Sequence, residues 1–279
     1  MRIAAIAIAA MVTISAGTLT LAAAPTIPGF WDARERLIKP DMSTLARLRF
    51  LTTVDFPPFN FLDWNGRLSG FNIDLARAIC TELEIEDRCQ IQALPWEELA
   101  GALEEEQGEA VLAGLAVTDA SRRQYAFSRS YLRFPARFIT RRAKPFSEPL
   151  PKRLAEKRVG VLANSAHEAM LRDLFPEVRV VTYTRSEWLL DDLKEDKLDA
   201  VFGDGMRLGF WLADEQSLNC CIFAGGPYLA PEYLGQGLAI AVSRDNPELA
   251  EALDYALQQI DSKGVFAELY LRYFPISFY

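Results

Sequence analysis

Hydrophobic and polar positions along this chain fall into short apolar runs separated by stretches of helical periodicity. A β-rich run over residues 48–54 breaks at Pro57-Pro58, and Asn65-Gly66 predicts a turn. Ile73, Ala76, Ile79, Cys80 and Leu83 then recur at the spacing of one buried helix face, which predicts a helix over 72–83. A strand over 89–93, a helix over 96–106 and an apolar strand over 110–117 follow. The rhythm then repeats, with strand 159–163, helix 166–174, strand 178–183, helix 187–194 and strand 198–203. Strands and helices alternating in this way predict an α/β fold with parallel sheets and crossover helices.

A shift of 90 positions superposes part of the first series on the second. Trp96 falls on Ser186, Leu99 on Leu189 and Leu103 on Leu193, while Glu109-Ala110-Val111-Leu112 falls on Asp199-Ala200-Val201-Phe202. Two similar lobes are therefore expected. Under the shift Gly114 and Asp204 are equivalent, each just past its strand, where open α/β sheets bind ligands. Strand 238–242, helix 247–260 and the amphipathic segment 265–274 are too few to form a core of their own. Returning them to the first lobe divides the chain into lobe 1 (46–131 and 236–279) and lobe 2 (136–231). That division needs two hinge crossings, near 131–135 and 232–236, with a cleft between the lobes.

The start of the chain reads differently. Met1-Arg2 precedes the run IAAIAIAAMVTISAGTLTLAAA, which ends in small residues before Pro25. A basic start, an apolar middle and a small-residue end predict a secretory signal over 1–24 and a periplasmic destination. A retained anchor is the alternative that the length of the run allows. Formal net charge is −8 with no basic stripe, so a phosphate backbone would be repelled and nucleic acid is not an expected partner. In an oxidising compartment Cys80 and Cys89, nine positions apart, can close a short loop, with buried free thiols as the alternative. Whether the adjacent Cys220 and Cys221 bond to each other is left open. None of the four has metal-ligand spacing with the only histidine, His167, so no metal site is expected. No motif supplies a catalytic nucleophile or a cofactor loop, so neither catalysis nor a cofactor is expected.

Five stretches together carry a resemblance. They are DFPPFNFLDWNGRLSGFNIDLARAI, EAVLAGLAVTDASRRQYAFSRSYL, VGVLANSAHEAM, DKLDAVFGD and GLAIAVSRDNPELAEALDYALQQIDSKGVFAELYLRYF. In this order they resemble the family 3 solute-binding proteins of bacterial polar amino-acid ABC transporters. The resemblance implies the two-lobed type II periplasmic binding protein fold. It also implies a monomer that takes a small polar solute and docks on a membrane permease. Phe56 and Trp96 match aromatic walls for the ligand, against the alternative of ordinary core aromatics. Asp204 matches the acid that holds a ligand ammonium, against the alternative of a helix cap. Gly114, Ala116 and Thr118 match the stretch lining the ligand carboxylate, and Ser165 is the corresponding position in the second lobe. His167 is expected at the rim.

The chain departs from the family at the carboxylate end. Ser121 stands where relatives carry a clamping arginine, and Ala116 replaces a common hydroxyl residue. Arg122 follows Ser121, but about 100° away on a helix. Arg133 and Arg137, in YLRFPARFITRR, are candidate substitutes, unless they lie on the solvated face of a strand. Two other functions share the fold. One is a periplasmic accessory or sensing protein docked to a protein partner. The other is an enzyme similar to cyclohexadienyl dehydratases, which needs an acid or base in the cleft.

Overall fold

A computed structural model describes residues 31–279 apart from Ala33, so the expected signal over 1–24 lies outside the described residues. Strand β1 (Leu48–Thr52) leads into a small antiparallel sheet of β2 (Asp55–Phe56), β3 (Asn60–Leu62) and β4 (Leu68–Ser69). Next come α1 (Phe71–Glu82), β5 (Cys89–Ala93), α2 (Leu99–Glu104), β6 (Ala110–Val111), the single turn α3 (Ser121–Gln124) and β7 (Tyr125–Phe127). The second series runs β8 (Ala136–Arg141), α4 (Leu150–Leu154), β9 (Arg158–Leu162), α5 (Ala166–Leu174) and β10 (Arg179–Tyr183). It continues through α6 (Ser186–Lys194), β11 (Ala200–Asp204), α7 (Gly205–Ala213) and β12 (Cys221–Tyr228). The chain then passes α8 (Pro231–Leu234) and returns with β13 (Ala241–Ser243), α9 (Pro247–Ser262) and α10 (Val265–Tyr273).

The two large sheets repeat one topology. The first is ordered β5-β1-β6-β13-β7 and the second β10-β9-β11-β8-β12. In each, the first three positions are parallel, and the fourth is antiparallel to both neighbours. That fourth strand is the one the chain lays down on arriving from the other lobe: β8 after the first crossing, β13 after the second. Two lobes of type II periplasmic-binding architecture result.

Alternation along the strands sorts side chains onto two faces of each sheet. In β1, Phe50 faces the core shared with α1, α9 and α10, while Leu51 faces Leu99, Ala102 and Leu103 of α2. In β11, Phe202 faces α5, while Val201 faces Leu189, Leu193 and Leu208 of α6 and α7. The 90-residue correspondence is thus realised in packing, since Leu99/Leu103 and Leu189/Leu193 fill equivalent places under their sheets. The expected strand over 110–117 is shorter, because the backbone turns at Gly114 (φ +85°). The disulfide Cys80–Cys89 joins the last turn of α1 to the first residue of β5, and Cys220 is bonded to Cys221.

Between the lobes, Leu132 and Leu238 form an antiparallel bridge, with Leu238 N–H donating to Leu132 O at 2.7 Å. Gly237, at φ +87°, has no room for a side chain here, because a Cβ would stand 2.2 Å from Leu132 O. The segment after α10 crosses the same region. Phe278 N–H donates to Tyr270 Oη at 3.0 Å, and Phe278 O accepts from Arg137 Nη1 at 3.0 Å. Arg137 is only 7% exposed, with its guanidinium 4.3 Å from the Phe223 ring centre. The solvated-face reading of this strand therefore fails at Arg137. β8 is covered on both sides by its neighbours' cores, and the guanidinium is committed to Phe223 and Phe278.

Candidate functional site

The lobe 1 wall begins where β1 ends. Phe56 stacks on Phe59 with ring centres 4.7 Å apart, and Phe71, Phe134 and Phe274 surround Phe59 in turn. A buried polar chain holds the backbone beneath. Asn60 Nδ2 donates to Thr53 Oγ1 at 2.7 Å, Asn72 Nδ2 to Asn60 Oδ1 at 3.0 Å, and Tyr131 Oη to Asn72 Oδ1 at 2.9 Å. Phe56 meets Gly114, where a Cβ would lie 2.9 Å from the Phe56 ring, so the bare backbone there is what admits the ring. Trp96 stands three residues beyond the end of β5 and is 50% exposed, opening beside Thr53, Val54 and Asp55. It is not a core aromatic.

The loop leaving Gly114 closes on itself. Ser121 Oγ donates to Ala116 O at 2.7 Å and accepts Thr118 N–H at 2.9 Å, while Ser121 N–H donates to Thr118 Oγ1 at 3.1 Å. The N–H and hydroxyl that the resemblance assigns to a ligand carboxylate are thus engaged within the loop. Arg122 is exposed, its guanidinium 6.0 Å from the Phe127 ring centre.

The lobe 2 wall is built at the carboxyl ends of β9 and β11. Ser165 caps α5, accepting Glu168 N–H at 3.1 Å, and Glu168 accepts Asn164 N–H at 2.7 Å in return. Asp204 caps α7 through Oδ1, which accepts Arg207 N–H at 2.8 Å. Both line one cavity of about 320 Å³. Its floor is apolar, made by Leu162, Leu189, Leu190, Phe202, Leu208 and Trp211. Its rim is polar, made by Ser165, Ser186, Asp204 and Arg207, and His167 also lines the cavity.

The structure therefore brings Phe56 to Gly114, joins Ala116, Thr118 and Ser121 in one loop, and sets Ser165 and Asp204 around one cavity. Arg122 belongs to the same loop through its N–H, which donates to Thr118 O at 2.9 Å, while its guanidinium lies toward Phe127. Sequence reasoning missed Ser186 and Arg207. The signal for Arg207 was its spacing, three residues after Asp204 at a helix start, which puts both on one face. Among the described residues, no group of three or more His, Cys, Asp or Glu side chains is placed to hold a metal ion, and no helix is long and apolar enough to cross a membrane.

His167 lies deeper than a rim residue, with Nε2 buried and without a hydrogen-bond partner. Burial pushes its pKa down from the ordinary value; the Asp204 carboxylate opposes this shift and the Arg207 guanidinium adds to it. A histidine depressed in the folded state takes up its proton first in the unfolded chain. Stability is therefore whole above the unfolded pKa and is lost as pH falls below about 6.5. The melting temperature is expected to drop more steeply with acidification in the wild type than in His167→Gln. Equal slopes in a pH series of thermal melts would exclude this role.

The profile of the bacterial extracellular solute-binding proteins, family 3, matches residues 48–276. This chain belongs to that family. It is 30% identical over 235 residues to the ABC transporter arginine-binding protein 1 of Escherichia coli K12, covering 84% of this chain and 93% of that one. Its fold is similar to the open form of substrate-binding domain 2 of GlnP from Lactococcus lactis (TM-score 0.66, 17% identity, covering 84% of this chain and 97% of that one). It is equally similar to an ancestral cyclohexadienyl dehydratase (TM-score 0.68, 17% identity, 83% and 93% covered). Binding proteins and an enzyme thus share this architecture, and the site has to decide between them.

Proposed function

We propose that this family member is the periplasmic receptor of an ABC transporter, holding an amino acid or related small polar solute between its lobes. The observation that carries the reading is Asp204. It ends a central parallel strand, caps α7 through one carboxylate oxygen and lines a cavity of small-solute size. We assign 46–131 with 236–279 to the first lobe and 136–231 to the second, closing about the Leu132–Leu238 crossing. Phe56 and Trp96 then offer apolar faces from lobe 1, with the loop of Gly114, Ala116, Thr118, Ser121 and Arg122 beside them. Ser165 and Asp204 face them from lobe 2. The partners are the solute and a membrane permease, and the chain acts as a monomer.

A receptor binds one solute reversibly and does not consume it. Thermal unfolding of the chain without residues 1–24, against amino acids, polyamines, organic acids and amines, tests this. A solute at about 100 times its Kd stabilises the fold by about 2.7 kcal/mol. The reading expects such a shift with at least one amino acid or close analogue, and recovery of that solute unchanged. No shift across the panel, with a protein partner co-purifying, would point to an accessory role instead. Turnover of prephenate or arogenate would point to the enzyme.

A further inference from the structure

We propose that Arg207 supplies, from the second lobe, the carboxylate contact that position 121 lacks, and that the solute is an α-amino acid with an apolar side chain seated in the cavity between α6 and α7. The inference rests on the receptor reading and specifies its ligand.

Three observations converge on it. First, the lobe 1 loop has nothing left to offer a carboxylate at Thr118 and Ser121, because their N–H and hydroxyl groups satisfy one another. Second, Arg207 lines the cavity beside Asp204, and among the described residues its guanidinium makes no hydrogen bond or ion pair. Only its backbone N–H is engaged, by Asp204 Oδ1. An unpaired cation and a half-used carboxylate, three residues apart on one helix start, are the complement of a zwitterion. Guanidinium also suits a carboxylate geometrically, because its N–H groups can engage both oxygens at once.

Third, the cavity below the two charges has an apolar floor, and Asp204 is the only carboxylate among its lining residues. If Asp204 holds the α-ammonium, a second cation on the side chain would enter the cavity without a counter-charge, which is strongly unfavourable. An aliphatic or aromatic side chain meets Leu189, Leu190, Phe202 and Trp211 instead and gains from leaving water. The buried, unpartnered Nε2 of His167 adds one polar point at the edge of this floor. Arginine, named for the similar Escherichia coli protein, is therefore the wrong side chain for this cavity.

Titration calorimetry of the full chain without residues 1–24 tests the assignment with leucine, phenylalanine, arginine and leucinamide. Leucine or phenylalanine is expected to bind at least tenfold more tightly than arginine, and leucinamide at least tenfold more weakly than leucine. Arg207→Ala is expected to weaken leucine at least tenfold and to leave leucinamide unchanged, because the amide has no carboxylate for the guanidinium to hold. Arg207 is exposed and, among the described residues, its guanidinium makes no hydrogen bond or ion pair, so the variant's melt at neutral pH should match the wild type. The wild-type comparison of leucine with leucinamide stands without any variant. Tight arginine binding that is indifferent to Arg207→Ala would overturn the inference and leave the receptor reading standing. Wild-type protein that binds no amino acid or analogue would overturn the receptor reading itself.

Discussion

Asp204→Asn is expected to lose at least about a hundredfold in solute affinity while staying within about 1 kcal/mol of the wild type in stability. The two effects separate because the proposed ammonium contact and the observed helix cap make different demands on Asp204. Its Oδ1 accepts Arg207 N–H and so caps α7, a task asparagine performs about as well as aspartate. The charge helps the start of the helix by a further few tenths of a kcal/mol, which asparagine gives up. The ammonium contact needs the charge itself, and removing one partner of a desolvated charge pair costs about 2–5 kcal/mol of binding. Asp204→Ala removes both functions, so it should lose affinity to a similar degree and about 1 kcal/mol of stability as well. Calorimetric titration and urea unfolding of the two variants measure the terms independently. If Asp204→Asn binds as tightly as the wild type, Asp204 is a helix cap and nothing more.

Asn72→Ala is expected to destabilise the protein by about 3 kcal/mol, although it touches neither lobe's candidate ligand residues. Asn72 is fully buried at the start of α1, between Asn60 and Tyr131, which are buried too. Its amide accepts from the Tyr131 hydroxyl and donates to the Asn60 carbonyl. Truncation leaves both groups unpaired where water does not reach, and each such loss costs about 1–3 kcal/mol. Adding Tyr131→Phe to Asn72→Ala should therefore cost little more, since the stranded hydroxyl goes with it. Urea unfolding of the single and double variants reads this directly. A single-variant loss under about 1 kcal/mol would mean that water replaces the amide. The same chain of bonds fixes Thr53, from which the backbone leads to Phe56, so the damage should extend to solute affinity.

How much of this was legible beforehand depended on the range over which each feature is decided. Helix 166–174 and strand 89–93 lie where periodicity put them, because an amphipathic face and a turn are local properties. The lobes were visible as a 90-residue echo, because equivalent helices need leucines at the same places under equivalent sheets. The pieces that escaped are those whose state is set by distant partners. β12 is a strand because β8 lies beside it, and Arg137 is buried because Phe223 and Phe278 arrive from far along the chain. At the site, Asp204 could be read from its place after an apolar strand. Arg207 carried only a spacing three residues after Asp204, and its significance depends on where α7 starts and on the cavity that α6 closes. Ser121 was read as an absence, a missing arginine. Its hydroxyl turns out to knit the loop together.

The shared topology also orders events in time. All five strands of the second sheet lie between residues 136 and 228, so that lobe possesses its whole sheet once that stretch of chain exists. The first sheet does not, because β13, at residues 241–243, sits between β6 and β7. Until it arrives, β7 has no neighbour and β6 ends in an open edge. The lobe that begins the chain is thus the last to be finished. As the polypeptide emerges, its amino-terminal third must wait for nearly all the rest before it can close.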